Sequence, residues 1–127
     1  MSDENRLSPL TAAFAENALC AAIYVDKTGT IRSWNRGAEV LLGHSAEQAV
    51  GRRADLIVPE PYRAAHWAGF HRALPTSWRG SPGWAPIQPL HRDGSLVSLE
   101  SFLLPFEEPP GGLRGILALF RQRVSTG

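Results

Sequence analysis

Apolar positions along this chain change period several times, and each change predicts an element. Residues 21–25 form a short apolar run that stops at Asp26-Lys27-Thr28-Gly29, a polar cluster whose glycine can take the positive φ of a tight turn. β-branched Thr30 and Ile31 then lead to Trp34, so residues 30–34 predict a second strand facing the first across that turn. At Asn35 the period becomes helical. Ala38, Leu41 and Leu42 share one face, Asn35 is placed to cap the start, and Gly43 stands where a left-handed C-terminal cap belongs. Ser45-x-x-Gln48 follows as a capping-box pattern and predicts another short helix ending near Gly51.

A longer helix is predicted over residues 60–74, opened by Pro59-Glu60-Pro61 with Glu60 near its positive end. Tyr62, His66, Phe70 and Ala73 fall at i, i+4, i+8 and i+11, which points His66 inward, while Arg63, Trp67 and His71 lie on other faces. Residues 75–82 are rich in Pro, Gly, Ser and Trp without periodicity and predict a mobile rim. Pro86 and Pro89 lack ladder N–H groups, so residues 84–91 predict an irregular edge strand. After a turn at Arg92-Asp93-Gly94-Ser95, residues 96–104 alternate, with Val97, Leu99, Ser101 and Leu103 on one face. Residues 107–112 turn the chain again and residues 113–121 close the sheet. Ahead of all this, Ser8-Pro9 opens a short helix whose Leu10, Ala13, Phe14 and Ala18 form an apolar stripe, suited to packing on the sheet or to a dimer interface. Two strands before the helices and three after them give an α+β fold: one five-stranded antiparallel sheet with helices packed on one face. The expected organisation is an extension over 1–19, a domain over 20–121 and a linker over 122–127.

Composition narrows the partners. At 127 residues and 43% hydrophobic content the chain can bury one core without staples. Its single cysteine, Cys20, excludes an internal disulfide and fits a reducing cytoplasm. With 13 basic and 12 acidic residues there is no basic stripe for direct nucleic-acid contact. The polar, acidic start at Met1-Ser2-Asp3-Glu4-Asn5 is no export signal, and no run approaches the roughly 20 apolar residues of a membrane span. No Gly-x-Ser-x-Gly elbow, His-x-x-x-His pair with a Glu, or Gly-rich phosphate loop points to an enzyme.

Taken in order, Asp26-x-x-Gly29-x-Ile31-x-x-Trp34-Asn35-x-x-Ala38-Glu39-x-Leu41-Leu42-Gly43 resembles the opening of a PAS domain, the sensory and interaction module of bacterial signalling proteins. The resemblance continues through Gly51, Pro59-Glu60-Pro61-Tyr62-Arg63 and His91-Arg92-Asp93-Gly94-Ser95, and covers residues 20–121. It implies the PAS fold and a ligand space between the sheet and the 60–74 helix. Tyr62, His66, Phe70, Leu99, Ser101 and Leu103 are the inward residues expected to line it. Ser101 is polar among apolar neighbours, so its hydroxyl is expected to bond backbone, water or a ligand. His66 can be a metal or haem ligand, a donor to a small molecule, or a core residue satisfied by a carbonyl.

Two cofactors can be weighed by the same resemblance. In haem-binding PAS domains of oxygen-sensing kinases the iron ligand would fall on His66 and an arginine near the propionates on Arg72. The distal arginine would fall at Ala85 or Trp84, neither of which donates a charged hydrogen bond, and a distal apolar residue on Ser101. Light-sensing relatives form a cysteinyl adduct within Gly-x-Asn-Cys-Arg-Phe-Leu-Gln. Aligned on Gly51, this chain reads Arg53, Ala54, Asp55, Leu56, Ile57 and Val58, so no thiol is available and no flavin adduct is expected.

The resemblance leaves two functional classes: a small-molecule sensor that passes a signal to an attached C-terminal output domain, or a ligand-free dimerisation module associating through Leu10 and Phe14. A start at Met1 leaves no upstream membrane sensor and suggests a transcriptional regulator. Many PAS domains end in an Asp-hydrophobic-Thr exit motif. This chain instead ends Leu119-Phe120-Arg121-Gln122-Arg123 before a polar tail.

Overall fold

A computed structural model describes residues 18–74, 78–108 and 113–123 of the chain. Five strands form one antiparallel sheet: β1 (Cys20–Val25), β2 (Ile31–Trp34), β3 (Ala85–Ile87), β4 (Leu99–Glu108) and β5 (Leu113–Gln122), in the spatial order β2-β1-β5-β4-β3. The first and last strands in sequence are thus neighbours at the centre, running from Cys20↔Arg121 to Val25↔Ile116. Helices α1 (Arg36–Leu42), α2 (Ala46–Ala49) and α3 (Arg63–Ala73) lie between β2 and β3 in sequence, with 3-10 turns at Ala54–Ile57 and Glu60–Tyr62. Among the described residues no helix is long and apolar enough to cross a membrane.

Local chemistry explains the first half of the chain. The Asp26 carboxylate closes the β1–β2 turn by accepting from the Thr28 N–H at 2.9 Å, the Thr28 hydroxyl, the Thr30 N–H and Arg32 Nε at 2.7 Å. Burial works against the charged form of Asp26, but those donors outweigh it and hold the carboxyl down at about 2. Asn35 does two jobs. Its Oδ1 accepts from the Ala38 N–H at 3.0 Å, capping α1, and from the Ala22 N–H at 2.8 Å, while its Nδ2 donates to the Cys20 carbonyl at 2.9 Å. One side chain therefore caps the helix and fixes it to the edge of β1. Gly43 ends α1 at φ 86°, and Ser45 and Gln48 form the capping box of α2.

The apolar positions of these elements meet in one core, in which Ile23, Ile31, Leu42 and Leu99 are fully buried. Each such side chain contributes on the order of 1.5 to 3 kcal/mol through burial.

Three boundaries differ from the periodic expectation. β3 is three residues long because Pro86 and Pro89 can give no ladder N–H, and it sits at the sheet edge where that costs least. β4 starts at Leu99 rather than residue 96: Leu96 is half exposed and only bridges to Leu90 across the Asp93 turn. The 60–74 helix is split, a 3-10 turn over Glu60–Tyr62 preceding α3, because Pro59 and Pro61 give this entry no N–H groups for regular helical bonds. The expected N-terminal helix with Leu10 and Phe14, the tip of the 107–112 turn and the end of the tail lie outside the described residues.

Candidate functional site

α3 faces the inner side of the sheet across an open space and is tied by Trp67 to the 3-10 turn at Ala54–Ile57 and to the β1–β2 turn. The indole Nε1 donates to Asp55 Oδ1 at 2.6 Å, and the Arg53 guanidinium stacks 4.4 Å above the ring. The ring lies so close to Gly29 that any side chain there would meet it, and Gly29 also holds φ 84°, so the turn glycine is required twice over. Trp67 lies on another face of the helix from His66 and Phe70, as its phase predicts. Its half-buried ring ties the helix to the β1–β2 turn.

Elsewhere the helix carries small residues toward the sheet. Ala65, Gly69 and Ala73 recur at i, i+4 and i+8, and with Ala54 and Ala118 of β5 they leave a chamber of about 480 Å³ that the larger core residues do not fill. Phe70 and Leu103 wall it from helix and sheet, and Trp78 and Pro82 from the loop before β3. The space is partly open to solvent and has the size and apolar lining of a small-molecule site.

His66, Phe70 and Leu103 of the predicted ligand set therefore stand together on the chamber. The other three do not. Tyr62 is 63% exposed, because it belongs to the 3-10 turn, whose 120° step per residue breaks the phase that would align it with His66. It lines a second, outer cleft of about 620 Å³ with His66, Pro86, Gln88 and Arg123. Leu99 and Ser101 face inward and are buried, but lie in the packed core opposite Ile87 and Ala85 of β3 and do not line the chamber. Missing from the expected set are Ile57 at the end of the first 3-10 turn, Val58 just after it, and Ile116 and Ala118 of β5. The i, i+2 alternation of Ile116, Ala118 and Phe120 was the signal for the latter pair.

His66 lies half-buried at the boundary of both spaces, 4.9 Å from the Trp67 ring. Its Nδ1 is sealed from solvent without a hydrogen-bond partner. Burial pushes its pKa down, and the nearby Asp55 carboxylate opposes this only in part, so the ring is neutral at pH 7.

The chamber does not suit haem. His66 supplies one imidazole, but Arg72 is exposed on α3, and Trp84 packs on the opposite side of the sheet against Phe102 and Arg121. No cation lines the chamber to meet two propionates. Among the described residues no group of three His, Cys, Asp or Glu side chains could hold a metal ion. Ala54, at the position of the adduct thiol in light-sensing relatives, lines the chamber with a methyl group, and Cys20 lies outside its lining.

Comparison with known proteins agrees with this architecture. The family profile described as the PAS fold matches residues 15–124. An uncharacterised protein of Azorhizobium caulinodans is 30% identical over 115 residues, 89% of this chain but 15% of its own length, so the chain spans a small part of that relative. The PAS domain of a Colwellia psychrerythraea protein superposes with a TM-score of 0.73 at 26% identity, covering 88% of this chain and 92% of its own. The blue-light activated histidine kinase of Erythrobacter litoralis superposes at 0.64 and 17% identity over 85% of this chain and 36% of its own, which shows shared fold alone.

Proposed function

Since this chain belongs to the PAS fold family, we propose that it is the sensory domain of a larger bacterial signalling protein in the cytoplasm, binding a small molecule between α3 and the sheet and passing the signal to an attached output domain. The observation that carries this is the apolar chamber of about 480 Å³ with one imidazole at its edge, in a domain otherwise packed around fully buried side chains. Its walls come from α3, the 78–82 loop, β4 and β5, so an occupant would bias the helix against the central strand. Nothing in the lining forms a nucleophile and base pair, and we read the site as binding rather than catalytic. The small share of the Azorhizobium relative that the chain spans supports a larger parent protein. The test is saturable one-to-one binding of 1-anilinonaphthalene-8-sulfonate, lost in an Ala118→Leu variant that fills the chamber. A wild-type protein that binds no dye while remaining folded overturns the proposal. An absorption spectrum after adding ferric haem, with His66→Ala alongside, is expected to show no band that depends on His66.

Self-association is a second reading with its own observation. The outer face of the sheet presents Phe102, Leu104, Leu117 and Leu119, all half-buried, beside Phe106 at 42% exposure. Such a stripe suits a second copy or the segment carrying Leu10 and Phe14. Light scattering on wild type and a Leu119→Glu variant decides it: an equal monomer mass for both ends the dimer reading.

A further inference from the structure

The chamber and the outer cleft adjoin along a shared wall of Ile57, Val58, Ala65, His66, Ile87 and Pro89. Their chemistry differs. The chamber is apolar apart from His66, Ser81 and the Trp78 indole, whereas the cleft adds the Tyr62 phenol, the Gln88 amide and the Arg123 guanidinium. No carboxylate lines either space, and Arg123 makes no ion pair among the described residues. The one charged group in the lining is therefore positive, while the Asp55 carboxylate near His66 lies behind the lining and accepts from the Trp67 indole. A guanidinium in that setting favours a carboxylate, which it can hold through two parallel hydrogen bonds.

His66 fits the same occupant. With Nδ1 sealed and lacking an acceptor, the ring is cheapest with Nδ1 bare and its hydrogen on Nε2. The junction of the two spaces thus offers a neutral N–H donor. From these residues we infer that the ligand is an amphipathic monocarboxylate, its hydrocarbon body in the chamber and its carboxylate held in the cleft by Arg123 with the His66 imidazole beside it. A body on the order of ten carbons matches a chamber of this volume. Arg123 directly follows Gln122, the last residue of β5, so a carboxylate bound there fastens the ligand to the point where the chain leaves the sheet. This would give the domain a readout without the family's usual exit motif.

The assignment rests on the chamber's taking a small molecule, and calorimetry can separate the two failures. The folded chain is titrated with decanoate and with decanol, each below its aggregation concentration, for wild type, Arg123→Gln and Ala118→Leu. Decanoate is expected to bind at least about tenfold more tightly than decanol, the scale of one charge-assisted pairing. Arg123→Gln should bring decanoate down to the level of decanol and leave decanol unchanged, while Ala118→Leu weakens both. Equal wild-type affinities, with both weakened by Ala118→Leu, overturn the carboxylate assignment and leave the chamber as a ligand site. An Arg123→Gln variant that keeps the preference overturns the role of this guanidinium. Absence of saturable heat from either compound overturns the assignment and the sensory proposal together.

Discussion

The two ends of this domain are built from the same sheet and differ in what their helices bring to it. At the β1–β2–α1 end, Leu42, Ile31 and Ala38 are fully buried, and Asn35 and Asp26 are buried with their oxygens and amide engaged. At the α3 end the helix brings Ala65, Gly69 and Ala73 to the sheet, one imidazole nitrogen is left without a partner, and a chamber remains. The domain is thus tightly packed at one end and loosely packed at the other. The contrast can be broken at either end.

The largest effect is expected from Leu42→Ala. That side chain has no exposure, so its removal leaves a cavity in a region with no slack. We expect a loss of about 2 to 5 kcal/mol in urea denaturation, with the slope of the transition unchanged. A loss below about 1 kcal/mol would mean that this end repacks freely and that the contrast is wrong.

Next in size is the Asp26 turn. Asp26→Ala removes four donors' common acceptor and is expected to cost about 1 to 3 kcal/mol at pH 7. Because the folded carboxyl titrates at about 2, below an unfolded aspartate near 3.9, its contribution is complete above the unfolded value and is lost as pH falls through the folded one. The gap between wild type and variant should therefore hold from pH 7 to about 5 and close toward pH 2. A gap independent of pH would show that the carboxylate's charge contributes nothing.

The same contrast explains what could be read from the chain alone. The closed end was legible because its determinants are local: Asn35 three residues before Ala38, Gly43 after Leu42, Ser45 three before Gln48, each a hydrogen-bonding pattern within one turn. Strand alternation was legible in the same way, and the edge position of β3 followed from Pro86 and Pro89, which lack ladder N–H groups. The hollow end was less legible because a cavity is made by what is missing across long separations. Ala54, Gly69 and Ala118 are unremarkable in sequence and become a site only when the β1–β5 pairing brings β5 beneath α3. Helical phase places His66 and Phe70 along that space but loses Tyr62, where the two prolines change the pitch. Arg123 was assigned to a linker by its polar neighbours, although Gln122 still pairs with Leu99 and leaves Arg123 at the cleft.

The smallest expected effect is the sharpest test of hollowness. Ala118 and Ala38 are both buried alanines, at 8% and 0% exposure, but one lines the chamber and the other belongs to the packed face of α1. Enlarging each to leucine asks the same question at both ends. Ala38→Leu must displace neighbours and should cost about 1 to 3 kcal/mol. Ala118→Leu has open space ahead of it, flanked in register by Ile23 and Leu103, so added apolar burial offsets the ordering of the new side chain. Its stability should stay unchanged or rise by up to about 1 kcal/mol in urea denaturation, while dye and decanoate binding fall. If Ala118→Leu is destabilised as much as Ala38→Leu, there is no room beneath α3 to receive a ligand.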